Sequence, residues 1–189
     1  CFCFEQIHAA FPMTIPRFYV PGPWTSDRIT FPEKASHHAM RVLRMRNGDE
    51  AEVFDGEGRT ARGRTEFSSE GTVLVAESYP EHGRESPLFI TLAQAFVSPD
   101  KMEWITEKAV EAGASRIVFF PAARSVTKLS GDKLTKRLEK LRATAVSACE
   151  QCGRSRIPEI EAFVSAETML SGLKADARVI LAPSSDPGL

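Results

Sequence analysis

The side chains best suited to chemistry fall into a few clusters along this 189-residue chain. One is His37-His38-Ala39-Met40-Arg41-Val42-Leu43-Arg44, with Arg46 just beyond. Arg41 and Arg44 stand three residues apart, which puts them on one face of a helix, and no acid lies between Lys34 and Arg46 to neutralise them. Unopposed guanidiniums beside imidazoles suit the holding of phosphates. A second cluster, Glu150, Gln151 and Arg154, sits at the end of a predicted helix, where such groups orient a loop or a subunit contact more often than they do chemistry. Arg124 follows the C-terminal end of a predicted strand, the position at which open α/β sheets place ligands. Lys108 and Glu111 read equally well as a catalytic pair and as an ordinary surface pair on a helix.

Four cysteines make no disulfide framework here. Cys1 and Cys3 lie in an irregular leader, and Cys149 and Cys152 have the CxxC spacing of a redox pair or half a zinc site. Zinc needs about four ligands, and the sequence offers no second CxxC and no HxxxH. A thioredoxin-like pair sits at a helix start, whereas these two fall near a helix end. They read as small buried residues of a helix in a reducing compartment, and no metal is expected.

The elements that must position these groups change texture midway. From Arg17 to about Ser86 the chain shows short β-like runs at Arg17–Val20, Ala51–Phe54, Thr60–Phe67 and Thr72–Glu77. Asp55-Gly56-Glu57-Gly58 supplies hairpin chemistry between two of them. One helix, Ala35–Arg44, interrupts the runs, with Ala39, Met40, Val42 and Leu43 available for packing. Short strands with one helix predict a small, partly open barrel. Glu81–Pro87 is polar and rich in breakers, hence a linker. Beyond it the spacing predicts a strand at Leu88–Ala95, a helix over Asp100–Glu111 between Pro99 and Gly113, a strand at Ile117–Phe120 and a helix over Asp132–Gln151. In that last helix Leu134, Leu138, Leu141, Ala145, Val146 and Cys149 share one face. A helix near Ala166–Leu173 and a strand at Arg178–Leu181 follow, giving the order of a parallel α/β sheet.

Charge is segregated. The net charge of −1 argues by itself against a nucleic-acid partner, yet residues 34–46 carry +4 and residues 116–156 carry +7, leaving −12 for the remainder. Two basic blocks in an otherwise acidic chain could form one track for a phosphate backbone. The stretch Lys133–Arg142 reads equally as the solvated face of an amphipathic helix. No apolar run approaches the roughly 20 residues of a bilayer span, and a cytoplasmic location is expected.

Specific words then narrow the reading. Pro16-Arg17-Phe18-Tyr19-Val20, His37-His38-Ala39-Met40-Arg41-Val42-Leu43-Arg44, Gly48-Asp49 and Asp55-Gly56-Glu57-Gly58 occur in this order. Asp100-Lys101-Met102-Glu103-Trp104-Ile105, Lys108-Ala109-Val110-Glu111-Ala112-Gly113, Arg124-Ser125-Val126, Glu150-Gln151-Cys152-Gly153-Arg154 and Pro158 continue it. This ordered set, covering residues 15–182, resembles the ribosomal RNA small subunit methyltransferase E family, the 16S rRNA uridine-N3 methyltransferases of the SPOUT trefoil-knot superfamily. The resemblance implies a PUA-like β-barrel over 13–84 and part of a SPOUT-type α/β domain over 85–189; residues 1–12, ahead of the natural-looking start Met13-Thr14-Ile15, are expected to be a leader with no role in the fold. It implies S-adenosylmethionine as cofactor, 16S rRNA in the small ribosomal subunit as partner, and a homodimer. It assigns Arg17 to RNA or the target site, alternatively a strand-edge surface arginine, and makes Arg17 and Arg124 the catalytic candidates. His37, His38, Arg41, Arg44 and Arg46 would line the RNA face, and Leu181, Ala182 and Pro183 the first cofactor-facing strand end.

Three departures qualify it. Ser98 and Pro99 stand where the family has lysine and glycine, and Ala123 where an acid precedes the arginine. The family's Gly-Pro-Glu-Gly-Gly loop and Leu-Gly-x-Arg segment do not occur, so a fragment lacking the knot, acting only as an RNA-binding module, is the alternative expectation. A nucleotide-binding oxidoreductase is disfavoured because no GxGxxG follows any predicted strand.

Overall fold

The computed structural model describes residues 15–80, 85–123, 125 and 129–181. In its first half, β1 (Arg17–Tyr19), β2 (Arg28–Thr30), β3 (Glu50–Phe54), β4 (Thr60–Ser68) and β5 (Gly71–Ser78) form one sheet in the order β1-β3-β4-β5-β2. The β1–β3 pair is parallel and the others are antiparallel. β4 alternates buried and exposed residues as a half-covered strand must, whereas Ala51 to Phe54 of β3 are buried on both faces. One face of β3 meets the barrel core of Phe18, Ile29, Phe31, Val53 and Leu74. The other meets the second half of the chain: Phe54 packs in a core with Phe96, Met102, Phe119 and Leu141.

That second half has three parallel strands, β6 (Thr91–Ala95), β7 (Arg116–Phe120) and β8 (Glu159–Ala162), in that order across the sheet. Two helices make the crossovers. α2 (Pro99–Glu111) buries Met102, Thr106, Ala109 and Val110, and α3 (Gly131–Cys152) buries Leu141, Ala145, Ala148 and Cys149. Both sets recur at four, three and one, a single helical stripe, and the two stripes face one another in one core. Each large side chain so buried contributes about 1.5–3 kcal/mol. A short α4 (Ala166–Gly172) follows β8.

The structure corrects the expected helix Ala35–Arg44 and the expected strands Leu88–Ala95 and Arg178–Leu181, and it adds two strands, β2 and β8, that were not expected. The helix expected over Ala35–Arg44 is a five-residue α1 (Glu33–His37) followed by a π-helical turn, His38–Val42, in which Leu43 N–H donates to the His38 carbonyl at 3.0 Å. The wider turn rotates Met40, Val42 and Leu43 outward, so of the four residues expected to pack, Ala39 alone is buried. β2 is too short to have shown a pattern. β8 alternates acids with apolar residues, and its Glu159 and Glu161 pair with Arg116 on β7. The expected strand Leu88–Ala95 starts only at Thr91, with Leu88, Phe89 and Ile90 exposed. Among the described residues the run Arg178–Leu181 forms no strand and nothing covers it: Val179, Ile180 and Leu181 are 85%, 86% and 94% exposed. An apolar run specifies a strand only where a neighbouring edge can pair with it.

Candidate nucleic-acid interface

Arg17 bridges the two halves of the structure. β1 carries it to the C-terminal end of α3, and its side chain is only 11% exposed. Its Nε donates to Glu52 at 2.5 Å, Nη1 to the carbonyls of Cys149 (2.9 Å) and Arg154 (3.1 Å), and Nη2 to the Ser155 hydroxyl at 3.1 Å. The guanidinium also lies 4.8 Å from the centre of the Phe54 ring. A planar fork of donors suits this task, because the negative end of a helix and a carboxylate must be met together. The sequence suggested an RNA contact or a surface arginine; the structure puts Arg17 between the two sheets with its donors turned inward.

Three further contacts close the same seam. Tyr19 N–H donates to Glu150 Oε1 at 3.0 Å. The Asp55–Gly58 hairpin docks on the segment after α3: Ile157 N–H donates to the Gly56 carbonyl at 3.0 Å and Gly58 N–H to the Ser155 carbonyl at 3.1 Å. Gly56 has φ +85°, and a Cβ there would stand 2.9 Å from Ile157 and 3.0 Å from Tyr19. Glu85 accepts from Arg154 and from the N–H groups of Ser155 and Arg156, at 2.9 to 3.1 Å. Arg154, buried, donates also to the carbonyls of Val110 and Ala114. Burial pushes the Glu85 carboxyl up, but the hydrogen bonds from Arg154, Arg156 and Ser155 outweigh it and hold the group below the ordinary carboxylate range. For Glu150 burial wins: its carboxyl lies above the ordinary value although the Tyr19 N–H and the charges of His38, Lys34 and Arg17 oppose the shift.

Outside the seam the barrel presents the cationic segment. His37, His38, Arg41, Arg44 and Arg46 are all exposed, and among the described residues none of their side chains has an ion-pair or hydrogen-bond partner. Three other exposed arginines on the barrel are matched, Arg28 with Glu66 at 2.6 Å, Arg62 with Glu50 at 3.1 Å and Arg64 with Glu77 at 3.2 Å, while Arg59 lies 5.3 Å from the centre of the Trp24 ring. Arg44 has φ +54°, a left-handed backbone unusual for a side chain of its size, at the exit of the π-turn. Exposed Met40, Val42 and Leu43 lie among these cations. A groove of about 520 Å³ runs from His38 along the seam to the outer face of α3, where Arg142 and Val146 line it. A hollow of about 620 Å³ on the β4–β5 face holds Arg28 and Arg64, both already neutralised by the acids named above.

The remaining sequence candidates divide. Gln151 is exposed beside Glu150. Lys108 is bound by Glu107 and Glu111 on the α2 surface. In the basic stretch of α3, Arg137 and Lys140 both reach Glu103 of α2, so part of that charge is spent on helix packing. Cys149 is fully buried, and burial pushes its thiol up to about 12, leaving it inert as a nucleophile. Among the described residues no group of His, Cys, Asp or Glu could hold a metal ion, and no helix is long and apolar enough to cross a membrane. Arg124, Ala182 and Pro183 lie outside the described residues, and Leu181 is exposed. Sequence reasoning missed Glu85, placed in a linker as a spacer, and the hairpin's docking role; neither has a local signal, since their partners lie about 70 and 100 residues away.

Comparison with known proteins agrees with this architecture. Residues 84–189 match the RNA methyltransferase domain and residues 31–77 the RNA methyltransferase PUA domain. The chain is similar to the ribosomal RNA small subunit methyltransferase E of Bacillus subtilis, 32% identical over 148 residues, covering 77% of this chain and 57% of that protein. It is likewise 32% identical over 143 residues to the protein of the same name from Mycobacterium tuberculosis, covering 74% and 53%. The chain thus spans a little over half the length of these relatives. Among solved structures, a Legionella pneumophila protein described as a methyltransferase in complex with S-adenosylmethionine superposes with a TM-score of 0.84 at 29% identity, covering 91% of this chain and 72% of that one. A ribosomal RNA small subunit methyltransferase E from Neisseria gonorrhoeae bound to S-adenosyl methionine gives 0.76 at 28%, covering 86% and 67%. The fold is a PUA-like domain followed by a SPOUT-type α/β methyltransferase domain.

Proposed function

The chain belongs to the RNA methyltransferase family that includes ribosomal RNA small subunit methyltransferase E, and from that premise we propose that it serves the S-adenosylmethionine-dependent methylation of N3 of a uridine in 16S rRNA. The observation that carries the reading is the run of exposed, unpaired cations at His37, His38, Arg41, Arg44 and Arg46, on a barrel whose other exposed arginines are largely neutralised. Like charges crowded together without acids repel one another. Their retention makes sense for a surface completed by a polyanion.

The chemistry asks for such a surface. N3 lies on the Watson–Crick edge, so the target base must be unpaired and turned out, and the enzyme must hold the surrounding strand through phosphates and sugars. N3 is also a weak acid, and a nearby cation favours its deprotonated form. Arg124 is proposed for that place, after β7. Arg17 is proposed as a positioning residue that holds the RNA-binding barrel against the methyltransferase domain. S-adenosylmethionine supplies the methyl group when bound. Neither groove nor hollow lies at the C-terminal ends of β6–β8. Leu181, open at 94% exposure, is proposed as a first cofactor contact with Ala182 and Pro183. The enzyme is proposed to act in the cytoplasm as a homodimer, with Gln151, exposed beside Glu150, at the subunit contact.

The test is primer extension on small ribosomal subunits incubated with the protein and S-adenosylmethionine, because a methyl group on N3 blocks reverse transcription. The expected result is a cofactor-dependent stop at one uridine of 16S rRNA, formed at least tenfold more slowly by Arg41→Ala/Arg44→Ala. Methylation at a ribose or at carbon 5 would refute the N3 assignment.

A further inference from the structure

We propose that the groove between the barrel and α3 seats one unstacked nucleotide of the substrate RNA, with Glu150 reading the edge of its base. This rests on the RNA reading above and names a second point of grip, apart from the methylated base.

The groove has the parts such a ligand needs. Its apolar lining comes from Phe18, Tyr19 and Pro32 of the barrel and Val146 of α3. Its size, about 520 Å³, falls in the range of pockets for small organic ligands. Lys34 and His38 on one side and Arg142 on the other come from different domains, and none has an ion-pair partner among the described residues. Glu139 is the opposing charge on the rim. Within the groove, Glu150 gives one oxygen to the Tyr19 N–H, and its other oxygen makes no hydrogen bond among the described residues. A half-buried carboxyl with one oxygen committed and one unmet, lifted towards its protonated form by burial, can meet the mixed donor and acceptor edge of a base.

A nucleotide is favoured over other occupants by continuity and charge. His38 belongs both to the groove and to the exposed cationic segment, so a strand following that segment reaches the groove without leaving positive surface. Apolar walls for a base, with cations at the rim for its flanking phosphates, are the pairing that single-stranded nucleic acid requires. Because the seam fixes the groove relative to the methyltransferase domain, an occupied groove would set the register of the strand. It would therefore act on site choice as well as affinity.

The experiment uses the whole chain and a ten-nucleotide single-stranded RNA carrying one 2-aminopurine, moved through successive positions, with the annealed duplex as control. The expected result is a fluorescence change confined to one position and absent from the duplex. Ala143→Phe, at an exposed position of α3 facing the groove, should abolish that change and weaken binding about tenfold without altering the dependence on salt. Glu150→Ala removes both oxygens and should weaken binding similarly, so the test stands even if the larger side chain at position 143 disturbs folding. Undiminished binding and an unchanged fluorescence pattern in Glu150→Ala, or in a folded Ala143→Phe, would overturn the groove while leaving the RNA reading intact. A wild-type chain that binds no single-stranded RNA would overturn both.

Discussion

Arg17 joins elements that the chain separates by more than 130 residues, and this makes its first effect one of stability. Its guanidinium meets Glu52, two carbonyls at the end of α3 and the Ser155 hydroxyl while almost wholly buried. Arg17→Ala is expected to cost about 3 kcal/mol in urea denaturation, as removal of one partner from a buried pair does; unchanged stability would return Arg17 to the RNA surface. Cys149 gives a second test. Its thiol is raised to about 12 by burial, so the folded state holds the proton more tightly than the unfolded state. That contribution is complete below the ordinary thiol value near 9 and is lost as pH rises towards 12. Iodoacetamide should accordingly modify Cys149 at pH 8.5 only at the rate of unfolding, and prompt alkylation of the native protein would contradict its burial. The sequence made the inert role of Cys149 legible through helix position and missing zinc ligands. The partners of Arg17 were not legible, because they are brought in only by the tertiary fold.

At the scale of elements, the helices were the readable part. The stripes of α2 and α3 are long enough for a 3.6-residue period to repeat, and their ends carry Pro99 and Gly153. The strands β2 and β8 are three and four residues long and repeat nothing. The π-turn deceived the sequence reading for a related reason: Met40, Val42 and Leu43 look like a packing face only if the helix keeps its ordinary pitch. In the structure they stand among the cations, where apolar side chains can meet exposed bases. Arg44 leaves this turn in a left-handed conformation, so Arg44→Gly should act in opposite directions on two observables. Stability should rise by about 0.5–1 kcal/mol as backbone strain is relieved, while RNA affinity falls with the lost charge. Thermal melts and filter binding on the same variant decide it, and a fall in both would mean that Arg44 is held by contacts within the fold.

For the molecule as a whole, the seam makes two sheets one body. Phe54 leaves the barrel to join the second core, and Glu85 ties the segment between the sheets to the loop after α3. Unfolding is therefore expected as one cooperative transition by both far-ultraviolet and tryptophan signals, and two separated transitions would refute a shared core. Because hydrogen bonds hold the Glu85 carboxyl low against its burial, its contribution is present above the ordinary carboxylate value and lost as pH falls through the folded-state value. Glu85→Gln should flatten the acid limb of the stability curve. Net charge hid the feature that matters at this scale, since a total of −1 averages an acidic body with a cationic arc. The arc was legible once charge was counted by segment, whereas the groove beside it needed the fold. The central claim, that this arc grips RNA, is tested most directly by the salt dependence of binding to a single-stranded RNA. Each phosphate contact adds a slope of about −0.7 in log affinity against log salt. Arg41→Ala/Arg44→Ala should make the slope shallower by about 1.4; a slope equal to that of the wild-type chain would show that the arc does not touch the RNA.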